Sequence, residues 1–391
     1  MVEQQTQDML NAADFDSRKL IKAMGKGVKG SRSLNFAEAA YLIKGFASGD
    51  ISTAQMAAAM MLMRVRGESV EELAGVASGL KQLVSSQWKT IKADIDWPVY
   101  AGKREQLPWL LLAAKMLAKQ GKTIVLHGDS QSLPHRRHVE SYIAALDIPK
   151  CDNAETAAEM LAKTGLIYLN SADVIPVLND CRALHQELGL RSFIQMSARC
   201  VNPCNAAFSL RSYFHPGLDK LHHQVAALLA KDSCQREAAD IAIFKGLQGE
   251  TEINPRVSTR VGLLRFNGQH EANFAEINLP TQLEAFVGAK LGQADLSAAV
   301  LAQLWRAEDI AEADLSTAQL QQAIASVTAT IALVNVLCNK GLAINDALEH
   351  AKKVWFERNK YVIQDSNVMG SSLWQHIENN VIPSTRHAVR S

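Results

Sequence analysis

No uninterrupted apolar run in this 391-residue chain is long enough to cross a bilayer. Stretches such as residues 57–63 fall far short of the ~20 residues that a span requires. The first 16 residues are acidic and polar and lack the apolar centre of a secretory signal. Both shortages point to a cytoplasmic protein with no membrane partner. Net charge is equally scarce: at +1, the chain has no bulk affinity for polyanions. The six cysteines are scattered at 151, 181, 200, 204, 234 and 338, and only Cys200 and Cys204 lie close together. A zinc site wants two close pairs at tighter spacing, so reduced, partly buried thiols are expected and no metal is assigned. No internal repeat and no low-complexity tract is present.

What remains is an ordinary globular composition, 48% hydrophobic and 21% charged, in a chain long enough for two domains. The first ~90 residues read as helices. A short basic helix over 17–24 is broken by the Gly-rich turn 25–30. Asn35 with Glu38, and Ser69 with Glu72, have the spacing of capping boxes that open the helices 36–46 and 70–83. Between them Ser52 starts an apolar helix, 54–64, rich in Ala and Met. From about residue 91 short apolar runs alternate with helical stretches: 123–126, 166–169, 193–196 and 241–244 read as strands. That alternation predicts βαβ units, a mainly parallel sheet and helices on both faces. A helical insert lies near 173–188. Residues 250–266 read as an antiparallel extension, and helices follow over 296–305 and 318–338. The fold class is α/β: a small all-helical domain (1–90, with the insert 172–190) and a larger domain (91–171 and 191–360) with a mainly parallel central sheet. A polar tail (361–391) ends the chain.

Residues 96–127 have the layout of a phosphate-binding βα turn without its donors. The strand Trp97-Pro98-Val99-Tyr100 runs into Ala101-Gly102-Lys103-Arg104, and a helix, 110–119, follows Pro108-Trp109. Cradling a diphosphate needs several glycines and helix-start hydroxyls. Here one glycine survives, Pro, Trp and Leu take the hydroxyl positions, and a Lys-Arg pair stands alongside. The turn suits an anion other than a diphosphate sugar.

Four ordered signatures resemble the anthranilate phosphoribosyltransferase (TrpD-like, glycosyltransferase family 3) family over roughly residues 17–360. The first is the pair of segments Ser-Gly-Asp-Ile-Ser-Thr-Ala-Gln-Met and Met-Arg-Val-Arg-Gly-Glu-Ser. The second is His127-Gly128-Asp129, similar to K-H-G-N. The third is Glu187-Leu188-Gly189-Leu190-Arg191-Ser192 with Asn202-Pro203, and the fourth is Gly246 to Glu252, similar to G-x-x-G-x-D-E. The resemblance implies a nucleoside phosphorylase/phosphoribosyltransferase-like fold and a homodimer formed through the helical domain. Its catalytic pattern departs here. The family's G-T-G-G-D loop falls on Pro98 to Gly102, and its N-x-S-T hydroxyls on Pro108 to Leu111. The K-H-G-N lysine and asparagine become Leu126 and Asp129, and S-G-S-A-D becomes His135 to Val139. Thr251 replaces one metal-binding acid and leaves Glu252. The G-P pair beside the substrate tunnel becomes Ala198-Arg199, and the family's substrate arginine falls near His185. The pattern resembles a divergent, YbiB-like branch that keeps the fold and dimer but not the chemistry, and is associated with sequence-independent nucleic-acid binding.

Each candidate residue has a sharp and a bland reading. Lys26, Lys29 and Arg32 are an anion-binding nest or a solvated helix–helix turn. Lys103 and Arg104 contact phosphate at a helix start, or form a surface charge pair with Glu105. Arg136 and Arg137 divide the same way, and Arg199 meets an anion or pairs with Glu252. Tyr100 and Trp109 stack on bases or belong to the core. Glu252 alone is a weak metal ligand, and His127 is a structural histidine. The residues favour a non-catalytic homodimer binding single-stranded DNA or RNA through a basic interdomain cleft. The alternative is a glycosyl- or phosphoribosyltransferase of altered substrate. Neither a catalytic residue nor a cofactor is assigned, and magnesium enters only with the alternative.

Overall fold

A computed structural model describes residues 15–27, 29–129, 136–232, 239–266, 272–283 and 297–358. Val28 of the Gly-rich turn, His135 and the tail 361–391 lie outside them.

The N-terminal bundle is built from α1 (Ser17–Gly25), α2 (Phe36–Ser48), α3 (Thr53–Arg66), α4 (Val70–Leu83) and the single turn α5 (Ser86–Lys89). Capping sets its boundaries. At Asn35, Ser52 and Ser69 the side chain accepts the N–H three residues on, and Glu38, Gln55 and Glu72 reach back to the cap N–H.

Eight strands follow: β1 (Ile95–Pro98), β2 (Ile124–Gly128), β3 (Lys150–Cys151), β4 (Leu166–Asn170), β5 (Phe208–Tyr213), β6 (Asp240–Lys245), β7 (Thr259–Phe266) and β8 (Ala272–Leu279). They form one sheet in the order β3-β4-β2-β1-β5-β6-β7-β8. Pairing is parallel from β3 to β6 and antiparallel for β7 and β8, so the predicted extension over 250–266 is strand β7. The helices that cover the sheet are α6 (Leu110–Lys119), α7 (Ala154–Thr164), α8 (Ser171–Val174), α9 (Val177–Leu188), α10 (Ile194–Ala198), α11 (Leu218–Ala230), α12 (Ala298–Arg306), α13 (Thr317–Cys338) and α14 (Ile344–Glu357). Residues 193–196, expected as a strand, lie in α10, and the strand of that region is β5, which begins at Phe208.

One core lies between the sheet and α6, α13 and α14, around Trp97, Leu126, Phe244 and Trp355. A second runs from the opposite sheet face (Val125, Ile167, Leu169) without a break into the bundle (Leu42, Met60, Leu80) and the insert (Val177, Cys181, Leu184). Helix α13 is long and apolar enough to cross a membrane by composition, but 94% of that window is buried inside the protein, as in a core helix. Polar clamps fix the bundle to the sheet domain. Lys81 Nζ donates to the Asn202 carbonyl and to Asn205, and Ser197 Oγ donates to the Leu73 carbonyl at 3.0 Å. The cleft between them is therefore bounded by pinned walls.

Candidate anion-binding cleft

In the strand order, β1 has β2 on one side and β5 on the other, so the chain reverses its direction of sheet growth at the β1/β5 seam. Ligand crevices of open α/β sheets form beyond the carboxyl ends of strands at such a seam. The turns after β1, β5 and β6 meet there. The β1 turn is held tightly. Gly102 (φ 68°) donates its N–H to Glu250 Oε1, and a Cβ on it would stand 2.7 Å from Arg136 Cβ. Lys103 and Arg137 exchange backbone hydrogen bonds of 2.8 and 2.9 Å, and Arg104 N–H donates to Gln248 Oε1 at 2.9 Å.

These turns surround a cavity of about 240 Å³ into which five arginines point: Arg64 from α3, Arg104, Arg136, Arg191 and Arg199. Tyr213, Phe214 and His215 from the end of β5 complete its wall, and Phe214 is 51% exposed. Among the described residues, the buried Nε–H groups of Arg136 and Arg191 have no hydrogen-bond partner. Burial, then the neighbouring Arg136 and Arg199, pushes the Arg191 guanidinium down to about 10, which leaves it a cation at neutral pH. Burial likewise lowers Arg199, and burial with Arg104 lowers Arg136. Like charges gathered in a half-buried pocket are held there against their own repulsion, an arrangement that suits an anion. Glu250 is the carboxylate coupled to Arg136, Arg191 and Arg199, raising the pKa of each, and Glu68 neighbours Arg64.

Of the sequence-derived candidates, the fold brings Arg104, Arg136 and Arg199 together in this cavity. Arg199 also donates to the Gln195 and Ser212 carbonyls, and its expected pairing with Glu252 gives way to these bonds. Arg137 donates to the Arg104 carbonyl at 2.7 Å, a brace for the turn. Lys103 is corrected. It is 0% exposed and ion-paired with Glu252, so its ammonium cannot reach an external phosphate. Arg32 is held by both Glu38 oxygens at 2.6 Å, which neutralises it. Lys26 and Lys29 are exposed on a turn whose Gly25 packs on Leu62, two residues before Arg64. Tyr100 and Trp109 are core residues, 4% and 3% exposed, and cannot stack on a base. His127 is structural, 2.9 Å from Asp96 Oδ1 through Nε2 and 3.0 Å from the Tyr100 hydroxyl through Nδ1. Arg64, Arg191, Phe214 and Glu250 are additions from the structure. Arg64 and Arg191 sit in motifs legible in the sequence, but 127 residues separate them and only folding makes them neighbours.

Two other positions bear on chemistry. The pocket lined by Tyr100, Asp129, Arg182, His185 and Ala198, where the resemblance puts the substrate tunnel, has about 10 Å³ of free space. That is room for a single water. Asp129 there pairs with Arg182 at 3.3 Å. His185 bonds Ser192 Oγ at 2.6 Å and Gln195 at 2.9 Å, and burial drives it down to about 4, so it is neutral. The residues do not fit magnesium. Glu252, fully buried, is occupied by Lys103 and by the Leu110 N–H, and Thr251 Oγ1 donates to the Pro98 carbonyl at 2.6 Å. A hard cation would have to break all three contacts to find oxygen ligands there.

Residues 18–83 match the family model described as "Glycosyl transferase family, helical bundle domain". The anthranilate phosphoribosyltransferase of Burkholderia cenocepacia is 23% identical over 266 residues, 68% of this chain and 75% of that protein. The enzyme of Shouchella clausii is 25% identical over 259 residues, 65% of this chain and 76% of that protein. Among solved structures, the anthranilate phosphoribosyltransferase of Thermus thermophilus superposes with a TM-score of 0.65 at 17% identity, covering 94% of this chain and 99% of its own. The Saccharomyces cerevisiae enzyme in complex with PRPP and Mg gives 0.62 at 13% identity, covering 95% and 99%. A glycosyl-transferase-type helical bundle joined to a mostly parallel mixed α/β sheet is the fold of the anthranilate phosphoribosyltransferases, and this chain has that fold.

Proposed function

We infer that this protein is a catalytically degenerate, YbiB-like relative of the anthranilate phosphoribosyltransferases that binds single-stranded nucleic acid without sequence preference through the basic cleft. The observation that carries this reading is the convergence of five arginines, two of them with unpartnered buried N–H groups, beside a half-exposed phenylalanine. Arginine forks bind phosphate oxygens in pairs, and an exposed aromatic ring gives any base a stacking surface. Cations on loops read the backbone, which carries no sequence.

A second reading, a transferase of altered substrate, draws on the fold, and the same cavity suits a small phosphorylated molecule. Against it stand the Lys103–Glu252 pair where a diphosphate and its metal would be held, and the ~10 Å³ left beside His185 and Ala198.

Anisotropy titration of a single-stranded oligonucleotide separates the two. Five arginines less the two glutamates that neighbour them, Glu250 and Glu68, give about three phosphates neutralised, so log K against log salt has a slope near −0.7 × 3, roughly −2. Joint replacement of Arg104 and Arg136 by alanine weakens every sequence alike and flattens the slope by about one to one and a half units. Absence of binding at low salt sinks the nucleic-acid reading. Calorimetry showing micromolar affinity for phosphoribosyl diphosphate with magnesium establishes the transferase instead.

A further inference from the structure

We propose that the arginine cavity is an end-binding pocket, recognising the terminal phosphomonoester of a nucleic-acid strand; the proposal rests on the nucleic-acid reading above. Charge is the first argument. Five guanidinium groups line the cavity; among the described residues Glu250 acts on Arg136, Arg191 and Arg199, and Glu68 on Arg64, leaving three positive charges in excess around about 240 Å³. A bridging phosphodiester brings one negative charge, whereas a terminal monoester brings about 1.5 to 2 at neutral pH. The monoester is the better match for the cluster.

Donor count is the second argument. A diester within a strand has two free oxygens and a monoester three. Arg136 and Arg191 retain buried Nε–H groups with no acceptor among the described residues, in addition to the guanidinium groups of Arg64, Arg104 and Arg199 that line the cavity. Buried donors without acceptors are costly, and a third phosphate oxygen supplies what they lack.

Shape is the third. Sites for drug-sized ligands run from about 300 Å³ upward. The cavity here holds a phosphate with its sugar and cannot hold several nucleotides, so a strand enters by its end. Phe214 at the wall is placed to stack on the terminal base as the chain leaves.

The test is anisotropy at fixed ionic strength with one short single-stranded sequence in three forms: 5′-phosphorylated, 3′-phosphorylated, and hydroxyl at both ends. One phosphorylated form is expected to bind about ten-fold tighter than the hydroxyl form, the worth of one charge-assisted hydrogen bond or more. The two phosphorylated arms identify which end. Inorganic phosphate should compete this advantage away. The advantage should also shrink below about pH 6, as the monoester takes up its second proton. Arg104→Ala, at an exposed position that does not threaten folding, should reduce it. Equal affinity for all three forms overturns the end pocket and leaves strand binding intact. A mononucleotide that binds as tightly as the phosphorylated strand overturns the assignment to a strand end. Failure of all three forms to bind removes the nucleic-acid reading itself.

Discussion

A lysine and a glutamate buried together, as Lys103 and Glu252 are, hold each other at a desolvation cost that only close pairing offsets. Burial, with a smaller push from Glu250, lifts the Glu252 carboxyl above its ordinary value, and Lys103 and the Leu110 N–H pull against that lift. The pair joins the β1 turn to the segment after β6, and neither residue lines the arginine cavity. Lys103→Met leaves an uncompensated buried carboxylate and should cost about 3–5 kcal/mol. Adding Glu252→Gln removes the charge but keeps an oxygen for the Leu110 N–H, so more than half of the loss should return. Urea denaturation of both variants checks this, and a loss below about 1 kcal/mol for Lys103→Met would show that the pair is not buried as described. Adjacent in sequence, Lys103 and Arg104 thus differ in place: one is a buried strut and the other an exposed cation at the cavity wall.

Helices α2 and α4 approach closely because α4 carries glycine where they touch. A Cβ at Gly75 would stand 2.2 Å from the Phe36 carbonyl oxygen, and one at Gly79 would stand 2.5 Å from Ile43 Cγ2 and 2.7 Å from the Ala40 oxygen. Glycine inside a helix costs about 1 kcal/mol against alanine. Gly75→Ala should nonetheless destabilise the protein by about 1–3 kcal/mol, because a backbone oxygen cannot move aside as a side chain can. Thermal melting checks it, and a raised midpoint would falsify the close packing. These helices were legible in the sequence because their signals are local: Asn35 with Glu38 and Ser69 with Glu72 mark starts that the structure reproduces. The misreading of 193–196 has the opposite cause. Phe193 and Ile194 are buried apolar residues in a short run, and burial alone does not distinguish a strand from one helical turn. The cavity was half legible. Arg104, Arg136 and Arg199 were visible as cations in an unusual place, but nothing local tells Lys103 from Arg104 or brings Arg64 to Arg191.

At the scale of the whole molecule, α3 has two apolar faces and the protein uses one. Met56, Ala59, Met60 and Met63 are buried within the chain, while Ala54, Ala58, Met61 and Val65 form a second stripe at helical spacing, with Val65 81% exposed. An apolar stripe of this kind is suited to a self-complementary partner, and we propose a two-fold dimer through α3. Arg64 enters the cavity from the same turn that carries Val65, which sets each cavity beside the proposed seam. Two anion sites on one particle make the second contact with a long strand intramolecular, and affinity then exceeds that of either site alone. Light scattering should therefore give a dimer at micromolar concentration, and Met61→Glu with Val65→Asp should give a monomer with an unchanged circular dichroism spectrum. In that monomer, affinity for a long single strand should fall by at least about ten-fold, while affinity for an oligonucleotide too short to reach both cavities stays within about two-fold of the original. A wild-type monomer would remove the dimer. Equal losses for long and short strands would place the two substitutions in the binding surface instead of at a seam between two copies.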